Sequence, residues 1–215
     1  MVHNFKNLNH ALVGMSYPLP RIQDAIQCLK EANIYSVLDC TQAYYQLPLE
    51  EESRKYTAFR AGGKLYEYTR LPQGVATAPA FWSKFIDMVM AGLTYRCMIV
   101  YMDDFLIYSE TFDKHMGHLD EVFDRVDKYN LRVESSKSVF ATNTVKFLGH
   151  IISTEGIGMD PVKVQAVKDI DLPNSSKSLR TFLGIFSYYR KFVKNFAAIA
   201  RPLTDLLKDD VTKPW

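Results

Sequence analysis

Two adjacent aspartates, Asp103 and Asp104, stand between the apolar runs Cys97 to Met102 and Phe105 to Tyr108. Two strand-like runs this close together have the spacing of a β-hairpin, which puts both carboxylates at its tip. Asp is a favoured turn residue, so turn chemistry alone is one account of the pair. The other is a metal site. Enzymes that transfer phosphoryl groups with two divalent cations hold the ions about 3.5–4 Å apart, with carboxylates from more than one backbone segment. Hard ions such as Mg2+ take oxygen ligands and need few protein carboxylates, keeping other positions for phosphate and water. Asp39 is the candidate partner, because it ends the run Tyr35 to Leu38, read as a short buried strand. His115 and His118, three apart on an expected helix, invite a zinc site, but no Cys or further His completes a ligand set. Exposed surface histidines are the expectation there.

The elements that must position these residues are legible as periodicity. Leu19, Ile22, Ala25, Ile26 and Leu29 recur at helical spacing within 18–33. A helix is expected after Thr77, with Pro79 in its first turn and Phe81, Phe85, Met88 and Val89 on one face. Met116, Leu119, Val122, Phe123 and Val126 stripe another over Phe112 to Tyr129. Val145 to Ser153 and Ile157 to Met159 read as a second hairpin around Thr154-Glu155-Gly156. Asp160 then caps a helix with Pro161 at its first position. The turn-rich stretch Asp171 to Ser176 is the expected boundary. Beyond it Leu179, Phe182, Leu183, Phe186 and Tyr189 stripe a helix, and Pro202 precedes a last short one. Hairpins and helices without regular βαβ alternation point to an α+β class, with a helical tail added.

Composition bounds the rest. The chain has 215 residues, 47% hydrophobic and 23% charged, which fits a globular chain and excludes disordered or collagen-like classes. No apolar run approaches the ~20 residues of a membrane-spanning helix. The start, Met1-Val2-His3-Asn4, has no signal-peptide pattern. The 3 cysteines, Cys28, Cys40 and Cys97, are widely spaced and read as reduced thiols of an intracellular protein. A net charge of +2 is too weak to announce a nucleic-acid partner.

The ordered motifs resemble a known family. Tyr101-Met102-Asp103-Asp104, Ser36-Val37-Leu38-Asp39 followed by Ala43-Tyr44-Tyr45-Gln46-Leu47, Leu71-Pro72-Gln73-Gly74 and Phe147-Leu148-Gly149-His150 are similar to those of reverse transcriptases. The resemblance is to the Pol polyprotein of gypsy-type long-terminal-repeat retrotransposons, and also to retroviral enzymes. The tail from Phe182-Leu183-Gly184 through Arg201-Pro202-Leu203 resembles the stretch that leads toward that family's RNase H domain. The resemblance implies a polymerase palm, an antiparallel sheet with helices on one face, with partial fingers and a helical C-terminal extension. It divides the chain into fingers and palm with a primer-grip hairpin over 1–170, and a thumb- or connection-like segment over 171–215.

It also implies roles, position by position. Asp39, Asp103 and Asp104 match the catalytic carboxylates and ligands of two Mg2+ ions, with Mn2+ as a substitute. Tyr44 matches an aromatic gate that leaves no space for a ribose 2′-hydroxyl. Its bland counterpart is ordinary core packing. Gln42 and Ala43 match positions whose backbone approaches the incoming triphosphate, and Gln73 one that touches the nucleotide. Leu148, Gly149 and His150 match the primer grip. The implied partners are a primed RNA or DNA template, deoxynucleoside triphosphates, and RNase H and integrase regions where a longer chain exists. No membrane partner is implied, and the expected place is the cytoplasm or a virus-like particle. In the tail, Arg180, Arg190, Lys191, Lys194 and Arg201 among aromatic residues suit either a phosphate backbone or a solvated helix face.

The chain departs from the family pattern in one respect. Family members carry more fingers sequence before the segment resembled by Phe5 to Asn9, and of the cations expected there only Lys6 has a match. The alternative expectation is therefore a catalytically inactive, truncated remnant that binds only nucleic acid or a protein partner.

Overall fold

A computed structural model describes residues 3–18, 28–29 and 32–208. The helix expected over 18–33 lies for the most part outside these residues. The described chain divides into two units, residues 1–147 with 152–156, and residues 148–151 with 157–215.

The first unit is organised by a four-stranded sheet of β1 (Ile34–Asp39), β4 (Met98–Tyr101), β5 (Asp104–Ser109) and β6 (Val139–Thr142), in the order β4-β5-β1-β6. Adjacent strands run antiparallel. The register pairs Leu38 with Phe105, Val100 with Phe105 and Met98 with Ile107. These residues form one face of the sheet and share a core with Trp82, Ile86 and Val89 of one helix and Leu119, Val122 and Val126 of another. The two helices are α3 (Ala78–Val89) and α4 (Phe112–Lys128). They follow α1 (Lys6–Ala11), α2 (Glu51–Arg54) and the hairpin β2 (Phe59–Ala61) with β3 (Lys64–Tyr66). Thr111 starts α4 by accepting from the Lys114 amide at 3.4 Å. Successive strand side chains point to opposite faces, so Asp39 and Asp104 lie on the face away from α3 and α4.

Several expectations are corrected. In α3 the buried face is Ala78, Trp82, Ile86 and Val89, whereas Phe81 and Met88 are exposed. Phe81, Phe85 and Met88 line a groove with Leu8 and Leu12 instead. In α4 Met116 is exposed, and His115 takes its place on the inner face. The hairpin turn is Met102-Asp103, so Asp104 is already the first residue of β5 and pairs with Tyr101. Val145 to Ser153 is two strands, β7 (Thr144–Phe147) and β8 (His150–Ser153), because Leu148 and Gly149 turn through positive φ values of 49° and 76°.

After β8 comes β9 (Gly156–Met159). Among its described residues the second unit holds three α-helices, α5 (Pro161–Lys168), α6 (Ser176–Tyr188) and α7 (Phe196–Asp205). Asp160 caps α5 by accepting from the Val162 amide at 3.0 Å. Ser175 and Ser178 form a reciprocal capping box at the start of α6. Leu179 of α6 is fully buried. Pro202 lies inside α7 rather than ahead of it, where it withholds one backbone donor from the helix.

Candidate active site

The site grows from the end of the central strand pair. Asp39 ends β1 and is directly opposite Asp104 in β5, and Asp103 is the turn residue before it. Three aspartates from two backbone segments thus stand at one end of the central strand pair. The turn between them is pinned from both sides. The Trp82 indole Nε1–H donates to the Met102 carbonyl at 2.8 Å, and the Cys40 amide donates to the Asp103 carbonyl at 3.0 Å. Met102 sits at φ 53°, a left-handed conformation at the first position of a two-residue turn, where glycine is usual. That conformation costs a non-glycine residue about 1–2 kcal/mol. It persists because Trp82 and the strand register hold the turn.

Among the described residues the charges are offset only in part. Burial, then Asp104 and Asp39, push the Asp103 carboxyl above its ordinary pKa. Burial and Asp39 do the same to Asp104. Asp103 Oδ1 is buried and has no hydrogen-bond partner among the described residues. One cation stands nearby, the exposed Lys137, whose Nζ is 3.8 Å from Asp39 Oδ1. An acceptor left bare beside two like charges matches the donor chemistry of a divalent-cation site, because hard cations take carboxylate oxygen. Among the described residues no three such side chains already converge on one point. Gathering an ion there requires the carboxylates to turn toward it.

The segment after Asp39 closes one side. Cys40 is buried, and its thiol is pushed upward by burial and by the three aspartates. Gln42 takes a left-handed φ of 48° and opens a 3-10 turn over Ala43–Gln46. Gln46 then locks this turn: its side chain donates to the carbonyls of Thr41 at 2.7 Å and Arg132 at 2.9 Å, and accepts from the Arg132 amide at 2.8 Å. Ala43 is buried. Tyr44 is half-buried and packs against two apolar clusters of this unit, and burial followed by the Asp103 charge raises its phenol pKa. The structure therefore brings Tyr44 within electrostatic reach of Asp103.

Gln73 is exposed on the turn that carries Gly74. The Leu71 amide ties this segment to the Leu47 carbonyl at 2.9 Å. Asn9 clamps the turn by donating to the Gly74 carbonyl and accepting from the Ala76 amide, both at 2.8 Å. Gly74 has φ 94°, a backbone conformation that side-chain-bearing residues rarely adopt, so glycine is needed there. Leu148, Gly149 and His150 belong to the second unit. There His150 is buried, with the Tyr188 ring stacked at 6.3 Å and the Phe192 ring at 5.6 Å.

Sequence reasoning missed Trp82, Lys137, Gln46 and Asn9. Gln46 stood inside a quoted motif and was available. Trp82 was hidden by assigning the wrong face of α3, and nothing in local sequence marks Lys137.

An antiparallel sheet with helices on one face and aspartates at the ends of its central strands makes an α+β polymerase fold. Residues 1–152 match the family described as "Reverse transcriptase (RNA-dependent DNA polymerase)", and the chain belongs to that family. It is 38% identical over 208 residues to the retrovirus-related Pol polyprotein from transposon opus of Drosophila melanogaster, covering 97% of this chain and 21% of that protein. It is 37% identical over 210 residues to the corresponding polyprotein from transposon gypsy of the same species, covering 98% of this chain and 20% of that one. The chain thus spans about a fifth of the length of these relatives. Among solved structures, a foamy viral protease-reverse transcriptase in complex with double-stranded DNA superposes with a TM-score of 0.87 at 28% identity, over 96% of this chain and 36% of that one. Among the described residues no helix is long and apolar enough to cross a membrane.

Proposed function

We propose that this chain is the nucleotide-adding part of a retrotransposon Pol polyprotein, extending a primer 3′-hydroxyl with deoxynucleoside triphosphates on an RNA or DNA template. The observation that carries the reading is the pairing of Asp39 with Asp104 beside a buried, unpartnered Asp103 Oδ1. Asp39, Asp103 and Asp104 would hold two Mg2+ or Mn2+ ions. Bound divalent cations supply the charge that activates a 3′-hydroxyl and neutralises a leaving pyrophosphate.

The protein's own residues do the rest. Trp82 and Cys40 fix the turn backbone, so the Asp103 side chain is presented without backbone motion. Mutual repulsion of the carboxylates is stored in the folded chain and is relieved when positive charge enters. Tyr44, half-buried and sensing the Asp103 charge, would exclude a 2′-hydroxyl. Gln42 and Ala43 offer backbone toward a triphosphate, and Gln73 extends from the clamped turn toward a nucleotide. Leu148, Gly149 and His150 serve as a primer grip on the second unit, with residues 171–215 as the thumb- or connection-like part. The bound duplex of the foamy viral relative supports a template–primer as the partner.

Primer extension by the purified chain on oligo(dT)-primed poly(rA), with Mg2+ and then Mn2+, tests the reading. Extension that vanishes in Asp103→Asn is the expected result. Duplex binding without extension in either protein overturns the enzymatic reading and leaves the inactive, nucleic-acid-binding alternative.

A further inference from the structure

Behind the catalytic face lies a polar chain that the proposed chemistry does not use. Ser36 of β1 is fully buried, Ser109 of β5 and His115 of α4 are buried, and none of the three faces solvent. Ser36 Oγ is 2.7 Å from His115 Nε2 and accepts from the Ala141 amide of β6 at 2.9 Å. Ser109 Oγ is 2.9 Å from His115 Nδ1 and 2.8 Å from His118 Nδ1. One imidazole therefore touches two strands, and through Ser36 it reaches the amide of a third.

The protons can be placed by counting donors and acceptors. Suppose the His115 proton is on Nε2. It then donates to Ser36, which already accepts from Ala141, and the Ser36 hydroxyl proton has no acceptor among its contacts. Suppose instead that it is on Nδ1. Ser36 then donates to the bare Nε2, Nδ1–H donates to Ser109, and Ser109 donates to His118 Nδ1. Every hydroxyl proton is used, and the chain runs in one direction from the Ala141 amide to His118. Burial, and next the neighbouring His118, lower the His115 pKa, which keeps the ring neutral as this pattern requires.

The geometry of the sheet gives this chain a role. Ser36 and Ser109 lie on the face of Leu38, Phe105 and Ile107, and they are diagonal neighbours, since the register pairs Ser36 with Ile107 and Ile34 with Ser109. A link across a diagonal resists sliding of one strand along the other. A slip of one residue would move Asp39 off Asp104 and turn its side chain to the wrong face. A fully satisfied buried network selects one arrangement where apolar packing alone tolerates several.

We infer that His115 is a positioning residue: as the neutral Nδ1–H tautomer it ties β1 to β5 through Ser36 and Ser109 and holds the register that sets Asp39 opposite Asp104. The catalytic consequence rests on the function proposed above, whereas the tautomer and the register do not.

The first test is long-range 1H–15N NMR of the histidine rings in the whole chain at pH 7. The expected result is a His115 ring protonated at Nδ1 and bare at Nε2, and the Nε2–H form or a charged ring overturns the inference. The second test is His115→Leu, which fills similar space without polar atoms, and Ser36→Ala, a smaller change to use where the first does not fold. Backbone hydrogen exchange should quicken at least tenfold at β1 and β5 in these variants. The kcat of primer extension should fall about 10–100-fold, as misplacement of reacting groups by an ångström can cause, with KM for template–primer unchanged. The double variant should be no worse than His115→Leu, since the two changes break one link. Exchange within twofold of wild type in a folded variant overturns the inference. If the unaltered chain extends no primer, the functional reading fails, while tautomer and exchange still decide this one.

Discussion

Asp39, Asp103 and Asp104 stand at the ends of strands buried over most of their length, with a turn held by Trp82 from α3 and by the Cys40 amide. Leu148, Gly149 and His150 occupy a tight turn and a strand start in a unit whose helices leave most side chains exposed, Leu179 of α6 being a buried exception. The difference follows the demands on each. Groups that must meet reacting atoms within fractions of an ångström belong on rigid, packed elements. Groups that hold a long, mobile polymer can sit on turns and amphipathic helices that open more readily. Both regions hold a non-glycine residue at positive φ, Met102 at 53° and Leu148 at 49°, but only the first also gathers like charges, because its packed core can hold them.

The largest expected effect that separates the regions is Asp103→Asn. It should abolish extension, a fall of more than 10³-fold on the scale of losing charge stabilisation in phosphoryl transfer. It should also raise Tm at neutral pH. The sign follows from the raised carboxyl pKa values of Asp103 and Asp104. The folded protein favours their protonated forms, so their contribution to stability is complete below the ordinary carboxyl range and is lost as pH rises through the raised values. The Tm advantage of the variant should therefore shrink on acidification, which thermal melts at several pH values will show. Relief on the order of 1 kcal/mol corresponds to about 2–4 °C for a chain of this size. A variant less stable than wild type at pH 7 would contradict the stored repulsion.

Next in size, Trp82→Ala should destabilise by about 3–5 kcal/mol through lost core packing. Trp82→Phe keeps most of that packing but leaves the Met102 carbonyl without its donor, at a cost of about 1–3 kcal/mol. Denaturant melts separate the two, and the Phe variant should lose extension out of proportion to its stability. In the second unit, Leu179→Ala should cost about 2–5 kcal/mol, read as faster hydrogen exchange in α6.

Tyr44→Ala sharpens the reading of the nucleotide side. Removing the ring should raise incorporation of ribonucleotides relative to deoxynucleotides on the order of 10²-fold, measured as the ratio of kcat/KM values. Unchanged discrimination would return Tyr44 to plain core packing. Smallest of all, Lys137→Ala should change stability by less than ~1 kcal/mol, because its contact with Asp39 is exposed.

The strands that carry the aspartates were legible because they are short apolar runs bounded by Asp: Tyr35 to Leu38 reads as a strand and lies within β1. α3 was legible as a helix but not in its orientation, since Phe81, Trp82, Phe85 and Met88 make it apolar nearly all round. Periodicity then cannot choose a face, and the packing of Trp82, Ile86 and Val89 on the sheet, with the Trp82 bond to Met102, does. His115 was misread as surface because it counts as polar in a stripe, while its burial is made possible by Ser36 and Ser109, 79 and 6 residues away in sequence. The break at Leu148-Gly149 was missed because Val145 to Ser153 is apolar enough to look continuous. Strand β6 escaped for the opposite reason, as Val139 and Phe140 are exposed and carry no alternation.

Whether Asp39, Asp103 and Asp104 hold divalent cations is tested most directly by Mn2+ titration followed by electron paramagnetic resonance, with template–primer and dTTP present. The prediction is Mn2+ bound by the unaltered chain, with affinity falling at least tenfold in Asp39→Asn and in Asp103→Asn while duplex binding persists. Equal Mn2+ affinity in all three proteins, each folded and bound to duplex, would contradict the assignment of this sheet edge as the catalytic centre.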